Sequence, residues 1–86
     1  MLDKTSLTSR LLEIAYAAAP RLADVEGDPT SADLRAAGLS SMAAVRMMLE
    51  IEAAFNLTIP DSDLTPENFA NIVAIEQLVR RLSATA

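Results

Sequence analysis

The chain has 86 residues, 51% of them hydrophobic, 22% charged and 3% aromatic, enough apolar matter for the core of about one small domain and too much for a disordered tail. Seven basic against 12 acidic residues leave a net charge of −5, a field that repels phosphate backbones and anionic bilayers and so excludes nucleic acid and membrane as partners. With no Cys and no His, disulfides, thiolate nucleophiles, Cys-bound zinc and the commonest metal ligand and general base are excluded together.

Only 2 Gly and few aromatics stand among many Ala, Leu, Met and Glu, a balance that favours helices over sandwiches and small barrels. From Asp3 or Thr5 to about Ala19, Leu7, Leu11, Ile14, Ala15 and Ala18 recur at three- and four-residue spacings, which predicts a first helix. Pro20 opposes its continuation, and residues 24–30 collect acids and turn formers without periodicity, which predicts a long loop. Ser31 is placed to cap a short turn through Ala37. Gly38 then breaks the chain, and Ser40-Ser41 stands at the head of a second helix ending near Phe55, with Pro60 closing that unit.

Thr65-Pro66-Glu67 has the cap, first-turn proline and early acid of a short third helix. Asn71 would cap a last helix through Leu82, carrying Ile72, Ile75, Leu78, Val79 and Leu82, with the tail from Ser83 frayed. The expected fold is therefore all-α: a four-helix bundle of three main helices and one short helix, a single domain over 1–86 with its core at about 5–82. No apolar run approaches the ~20 residues needed to cross a bilayer, and Met1-Leu2-Asp3-Lys4-Thr5 lacks the layout of a secretory signal, so the expected location is cytoplasmic.

The second helix has two apolar sides. At 100° per residue Ala44, Met47, Met48, Ile51, Ala54 and Phe55 form one stripe, while Met42, Val45, Leu49 and Ala53 form another opposite it, with Arg46 among them. Either the helix is buried on both sides or the second stripe, left in water at roughly 25 cal/mol per Å², is a docking face. Arg46 favours the second, because an Arg is seldom buried without a partner. Ser41 stands where helix amides lack partners and the dipole favours an anion, although a serine at a helix start is most often a plain cap.

The string Asp33-Leu34-Arg35-Ala36-Ala37-Gly38-Leu39-Ser40-Ser41-Met42, followed by Val45, Met48, Leu49, Glu52 and Phe55, resembles the acyl carrier protein family. The likeness continues in Leu57-Thr58-Ile59-Pro60 and in Asn68-Phe69-Ala70-Asn71-Ile72 with Leu78-Val79, so that it spans Leu7 to Leu82. The resemblance implies that Ser41 carries 4′-phosphopantetheine, attached from coenzyme A by a phosphopantetheinyl transferase, and that the arm's thiol holds an acyl or aminoacyl group as a thioester. It implies a carrier that is not an enzyme, which fits a chain lacking Cys and His.

Ser40 and Met42 stand where such carriers most often have an acid and a leucine; Gly38, Val45, Ile51 and Phe55 match together when Ser41 is the modified residue. Residues 41–56 hold Arg46 against Glu50 and Glu52, less acidic than the second helix of fatty-acid-synthesis carriers, so different partners are implied. The resemblance thus points to a discrete, monomeric carrier of the peptidyl or aminoacyl kind, loaded by an adenylating ligase and delivering to a downstream transferase or synthase, with Met42, Val45, Arg46 and Leu49 as docking contacts. The acids Asp24, Glu26, Asp28, Asp61, Asp63 and Glu67 are read as solvated loop surface. Two other readings stand beside the carrier. One is a helical interaction module in which Ser41 is only a cap. The other is an enzyme built on Ser41 with an acid such as Asp33, for which no base or oxyanion site is in view.

Overall fold

The structure, a computed structural model, describes residues 4–85 and the side chains of 6–83. It is all-helical, with α1 at Lys4–Ala18, α2 at Ser41–Phe55 and α3 at Ile72–Thr85. Two short 3-10 turns, Leu22–Asp24 and Asp61–Asp63, lie in the connections. The predicted first and second helices are there within a residue or two, although the suggested start at Asp3 lies outside the described residues. The last helix extends three residues beyond Leu82, to Thr85.

The helical periodicity places the core where it was expected. Leu7, Leu11, Ile14 and Ala15 of α1, Met47 and Ile51 of α2, and Ile72, Ile75, Leu78 and Val79 of α3 are all buried in one cluster. Ala18 and Leu82 are only partly covered. α1 packs on both other helices, and its Thr8 hydroxyl donates to the Glu76 carboxylate of α3. A fully buried Leu or Ile contributes roughly 1.5–3 kcal/mol, so these residues dominate the fold's stability.

The long first connection is far from loose. Its 3-10 turn drops Leu22 into the core, and a turn over 34–38 drops Leu34 beside it. The backbone amide of Leu34 donates to Ala70 O at 3.0 Å, that of Val73 to Thr30 O at 3.1 Å, and that of Arg21 to Ala37 O at 2.8 Å. These bonds tie the loop to the entry of α3 and close it on itself, satisfying peptide groups that would otherwise need water. Asp33, not Ser31, caps the 34–38 turn, its carboxylate accepting from the amides of Arg35 and Ala36. Ser31 instead donates its hydroxyl to Asp28 O. The acids Asp24, Glu26 and Asp28 are exposed, as expected, and the Thr30 hydroxyl and amide hold the Asp28 carboxyl below the usual aspartate range.

The predicted short helix at 65–67 is a run of turns over residues 66–69. Thr65 Oγ1 does accept from the Asn68 amide, but Asn71 starts a new cap six residues later, accepting from Ala74 N at 2.8 Å. Too few residues stand between the two caps to offset the cost of helix nucleation. At the far end of α2, Asn56 adopts the left-handed conformation (φ 52°) that ends a helix. The Glu52 carboxylate then accepts from Ile59 N at 2.8 Å, drawing buried Ile59 back toward the core.

Gly38 sets the entry to α2. Its φ is +101°, and a Cβ there would lie 3.0 Å from Pro20 Cδ, so both backbone and space require glycine. Gly38→Ala is expected to destabilise the domain by about 1–2 kcal/mol in urea unfolding, with the helical content of the folded state unchanged by circular dichroism.

Candidate functional site

The turn before α2 divides the work of two adjacent serines. The Arg21 guanidinium donates to Ala36 O at 3.0 Å and steadies the turn. Leu39 is buried and anchors the chain. Ser40 then takes an extended conformation (φ −78°, ψ 167°), and its Oγ accepts from Ala43 N at 3.1 Å. Its carbonyl accepts from Ala44 N, starting the helical ladder. Ser40 is therefore the cap.

Ser41 is the first helical residue and is exposed. Its hydroxyl has no hydrogen-bond partner among the described residues, and the Ser41 and Met42 amides have no carbonyl before them to bond. An exposed alcohol thus stands at the positive end of a 15-residue helix dipole. This overturns the reading in which Ser41 serves as the cap: the capping is done one residue earlier.

The second apolar stripe of α2 lies in solvent. Met42 is 70% exposed, Val45 53% and Leu49 54%, whereas Met47 and Ile51 on the other side are 1% exposed. Arg46 and Ala53 are exposed with the outer stripe. The reading in which α2 is buried on both sides is therefore excluded. Arg46 has no ion-pair or hydrogen-bond partner among the described residues, so a lone guanidinium sits amid three bare apolar side chains.

A cleft of about 590 Å³ opens beside Ser41. Ala44, Val45 and Met48 of α2 form one wall, and Leu64 and Phe69 of the segment before α3 face them. Asp33, Arg35, Thr65 and Glu67 bring polar groups to the lining. This cleft, Arg35 and the Leu64–Ala70 wall were missed in the sequence, where residues 35, 41 and 69 carry no shared spacing. The turn at Gly38 and the backbone bonds Leu34 N–Ala70 O and Val73 N–Thr30 O help to bring them together. Asp33, the acid named for an enzyme reading, is occupied in capping its own turn. No group of three or more acids among the described residues is placed to hold a metal ion, and no described helix is long and apolar enough to cross a membrane.

These residues fit a phosphorylated group on Ser41. A free hydroxyl is available for a phosphodiester, the open amides suit its charge, and a mainly apolar cleft adjoins it.

The comparisons with known proteins follow the same line. The aminoacyl carrier protein of Agrobacterium fabrum (strain C58) is 55% identical over 49 residues, 57% of this chain and 59% of that protein. Aminoacyl carrier protein 2 of Bradyrhizobium diazoefficiens is 42% identical over 57 residues, 66% of this chain and 61% of the relative. The matches thus span about three fifths of these curated relatives. A chain in the crystal structure of engineered Bradyrhizobium japonicum glycine:[carrier protein] ligase complexed with carrier protein from Agrobacterium tumefaciens and AMP superposes with a TM-score of 0.69 and 38% identity. That superposition covers 85% of this chain and 97% of the other. The family model described as phosphopantetheine attachment site matches residues 9–81, nearly the whole described bundle, and the chain belongs to that family.

Proposed function

We propose that this chain is a carrier whose Ser41 Oγ is the attachment point for 4′-phosphopantetheine, and which presents an aminoacyl or acyl group to partner enzymes. The observation that carries the assignment to Ser41 is its exposed, unbonded hydroxyl, one residue past a cap that Ser40 already supplies. Once attached from coenzyme A by a phosphopantetheinyl transferase, the arm supplies the thiol that a chain without cysteine lacks. The domain's own contribution is to hold Ser41 at the rigid start of α2, offer open amides to the phosphodiester, and present a docking face beside it.

That face is Met42, Val45, Arg46 and Leu49, exposed apolar groups around one unpaired cation. Such a patch suits a transient partner, which needs a small apolar contact and one directional charge. An adenylating ligase is the loading partner that fits best, and an amino acid the favoured cargo. The relatives are named aminoacyl carrier proteins, and the similar structure is described with a glycine:[carrier protein] ligase. The same reading makes the chain a single monomeric carrier domain with its core at about 5–82, acting in the cytoplasm, passing its cargo to a downstream transferase or synthase and doing no chemistry itself.

Incubation with coenzyme A and a broad phosphopantetheinyl transferase is expected to add one arm by intact mass to the wild type and none to Ser41→Ala. A wild type that gains nothing with several transferases would point to a non-catalytic interaction module instead. Ser40→Ala separates the two serines: it is expected to lower stability by about 1 kcal/mol while still accepting the arm. Ser41→Ala should change stability by less than about 0.5 kcal/mol. For the docking face, Arg46→Glu is expected to slow loading by the cognate ligase about tenfold, the effect of ~1.4 kcal/mol at an interface, with far-ultraviolet circular dichroism unchanged. Equal loading of both forms removes Arg46 from the contact.

A further inference from the structure

Two opposite charges stand one turn apart on the outer side of α2. Arg46 and Glu50 are both exposed, and neither has an ion pair or a hydrogen bond among the described residues. They do not pair with each other, in keeping with their order: an acid four residues before a base is the arrangement that favours a helix, and in α2 the base comes first. Beside them runs the exposed apolar strip of Met42, Val45, Leu49 and Ala53. At 100° per residue Leu49 lies opposite the buried Met47 and Ile51, Val45 falls to one side of it, and Arg46 and Glu50 both fall to the other, about 60° and about 100° away. One face of α2 thus has an apolar centre and carries both signs of charge along a single edge.

We infer that this face pairs with the same face of a second copy of the chain, the two α2 helices lying antiparallel about a two-fold axis at the level of residue 48. Such an axis sets like edges side by side, and residues equally far before and after its level meet. Arg46, two residues before, then meets Glu50 of the second copy, two residues after, and symmetry makes this contact twice. Leu49 meets its own counterpart at the centre between the two Val45 side chains, while Met42, six residues before, lies over Ala53, five residues after, large against small. An isologous contact needs a surface that complements itself, and this one does so in size and in sign. Four apolar side chains from each copy are far fewer than the roughly 20–30 residues a side of a stable complex, so pairing is reversible and the monomer prevails when dilute. Self-pairing goes beyond the carrier reading and needs no arm. It covers Met42, Val45, Arg46 and Leu49, so pairing and the docking of an enzyme on that face exclude each other.

The test is sedimentation equilibrium of the apo protein from micromolar to millimolar concentration, with circular dichroism to confirm that each variant is folded. The average mass of the wild type is expected to rise from that of one chain toward that of two and to go no further. Arg46→Glu and Glu50→Arg each place like charges at both contacts, and each alone is expected to weaken the pair about tenfold. An equimolar mixture of the two variants is expected to restore it, since each then offers the charge that the other lacks. General repulsion gives a different pattern: Glu50→Arg reduces the net charge of −5 and by that alone would associate more tightly. A wild-type mass that stays at one chain throughout would overturn the pairing, as would one that climbs past two. Pairing that survives in either single variant, or that the mixture fails to restore, would overturn the contacts between Arg46 and Glu50 and the axis they fix. Attachment of the arm to Ser41 is read separately by intact mass, so failure of the carrier reading and failure of the pairing are distinguishable.

Discussion

The hydrogen bond from the Ala43 amide to Ser40 Oγ governs what the rest of this domain can do. A helix start left without a side-chain acceptor draws on whatever oxygen is nearest, and in this chain that is the next serine. With Ser40 in the extended conformation the demand is met one residue early, and Ser41 enters the helix with its oxygen uncommitted. Three features set that register. Gly38 makes the positive-φ turn, Leu39 is buried, and Arg21 ties Ala36 from outside. A one-residue change of register would turn α2 by about 100° and carry Met47 and Ile51 out of the core.

Rotation matters because α2 has apolar residues nearly all round. Burying Met47 and Ile51 fixes Met42, Val45 and Leu49 in water, at a cost of roughly 25 cal/mol per Å² that nothing within the described chain offsets. A 15-residue helix in so small a domain has no second layer to cover it. The exposed stripe is therefore the observation on which the docking proposal rests, and Arg46, unpaired among the described residues, suits a partner that brings its own acid. The buried face and the exposed apolar face of α2 are two consequences of one helical register.

Much of this was legible in the chain. Periodicity located the three long helices and nearly all of the core, because burial of one stripe is a local property repeated every three or four residues. Asn71 at the head of α3 and Pro60 after α2 were readable for the same reason. What escaped was whatever depends on distant segments meeting. Nothing in the sequence placed Leu22 in the core, and Leu34 stood only in a short turn; their burial, with the bonds from Leu34 N to Ala70 O and from Val73 N to Thr30 O, makes the first connection part of the core. Thr65-Pro66-Glu67 had every mark of a helix start, but Asn71 claims the chain too soon for one to propagate. The helix start at Ser40-Ser41 was located correctly, yet which of the two serves as the cap turns on one backbone conformation. Arg35 stood in the family-like string with no role of its own, since its place in the cleft depends on a wall about thirty residues further along the chain.

Charge gives the last constraint on partners. A net of −5 suggests a domain that seeks basic surfaces, but screening limits exposed charges to a reach of about 8–10 Å at ordinary ionic strength. Within that reach the local arrangement decides. Asp24, Glu26 and Asp28 sit in the first connection, and Asp63 is paired with Arg81 at 3.1 Å. The first half of α2 offers Arg46 on its exposed face and Arg35 in the adjoining cleft, both unpaired among the described residues. Glu50, the nearest exposed acid on the helix, is four residues after Arg46 and well beyond the start where Ser41 stands. The surface around Ser41 therefore joins two unpaired cations, Arg46 and Arg35, and methyl-rich side chains to the exposed acids Asp33 and Glu67 of the cleft. On the proposed reading, a partner meets this local mixture of both signs amid apolar groups, and the sign of the whole molecule's charge matters less.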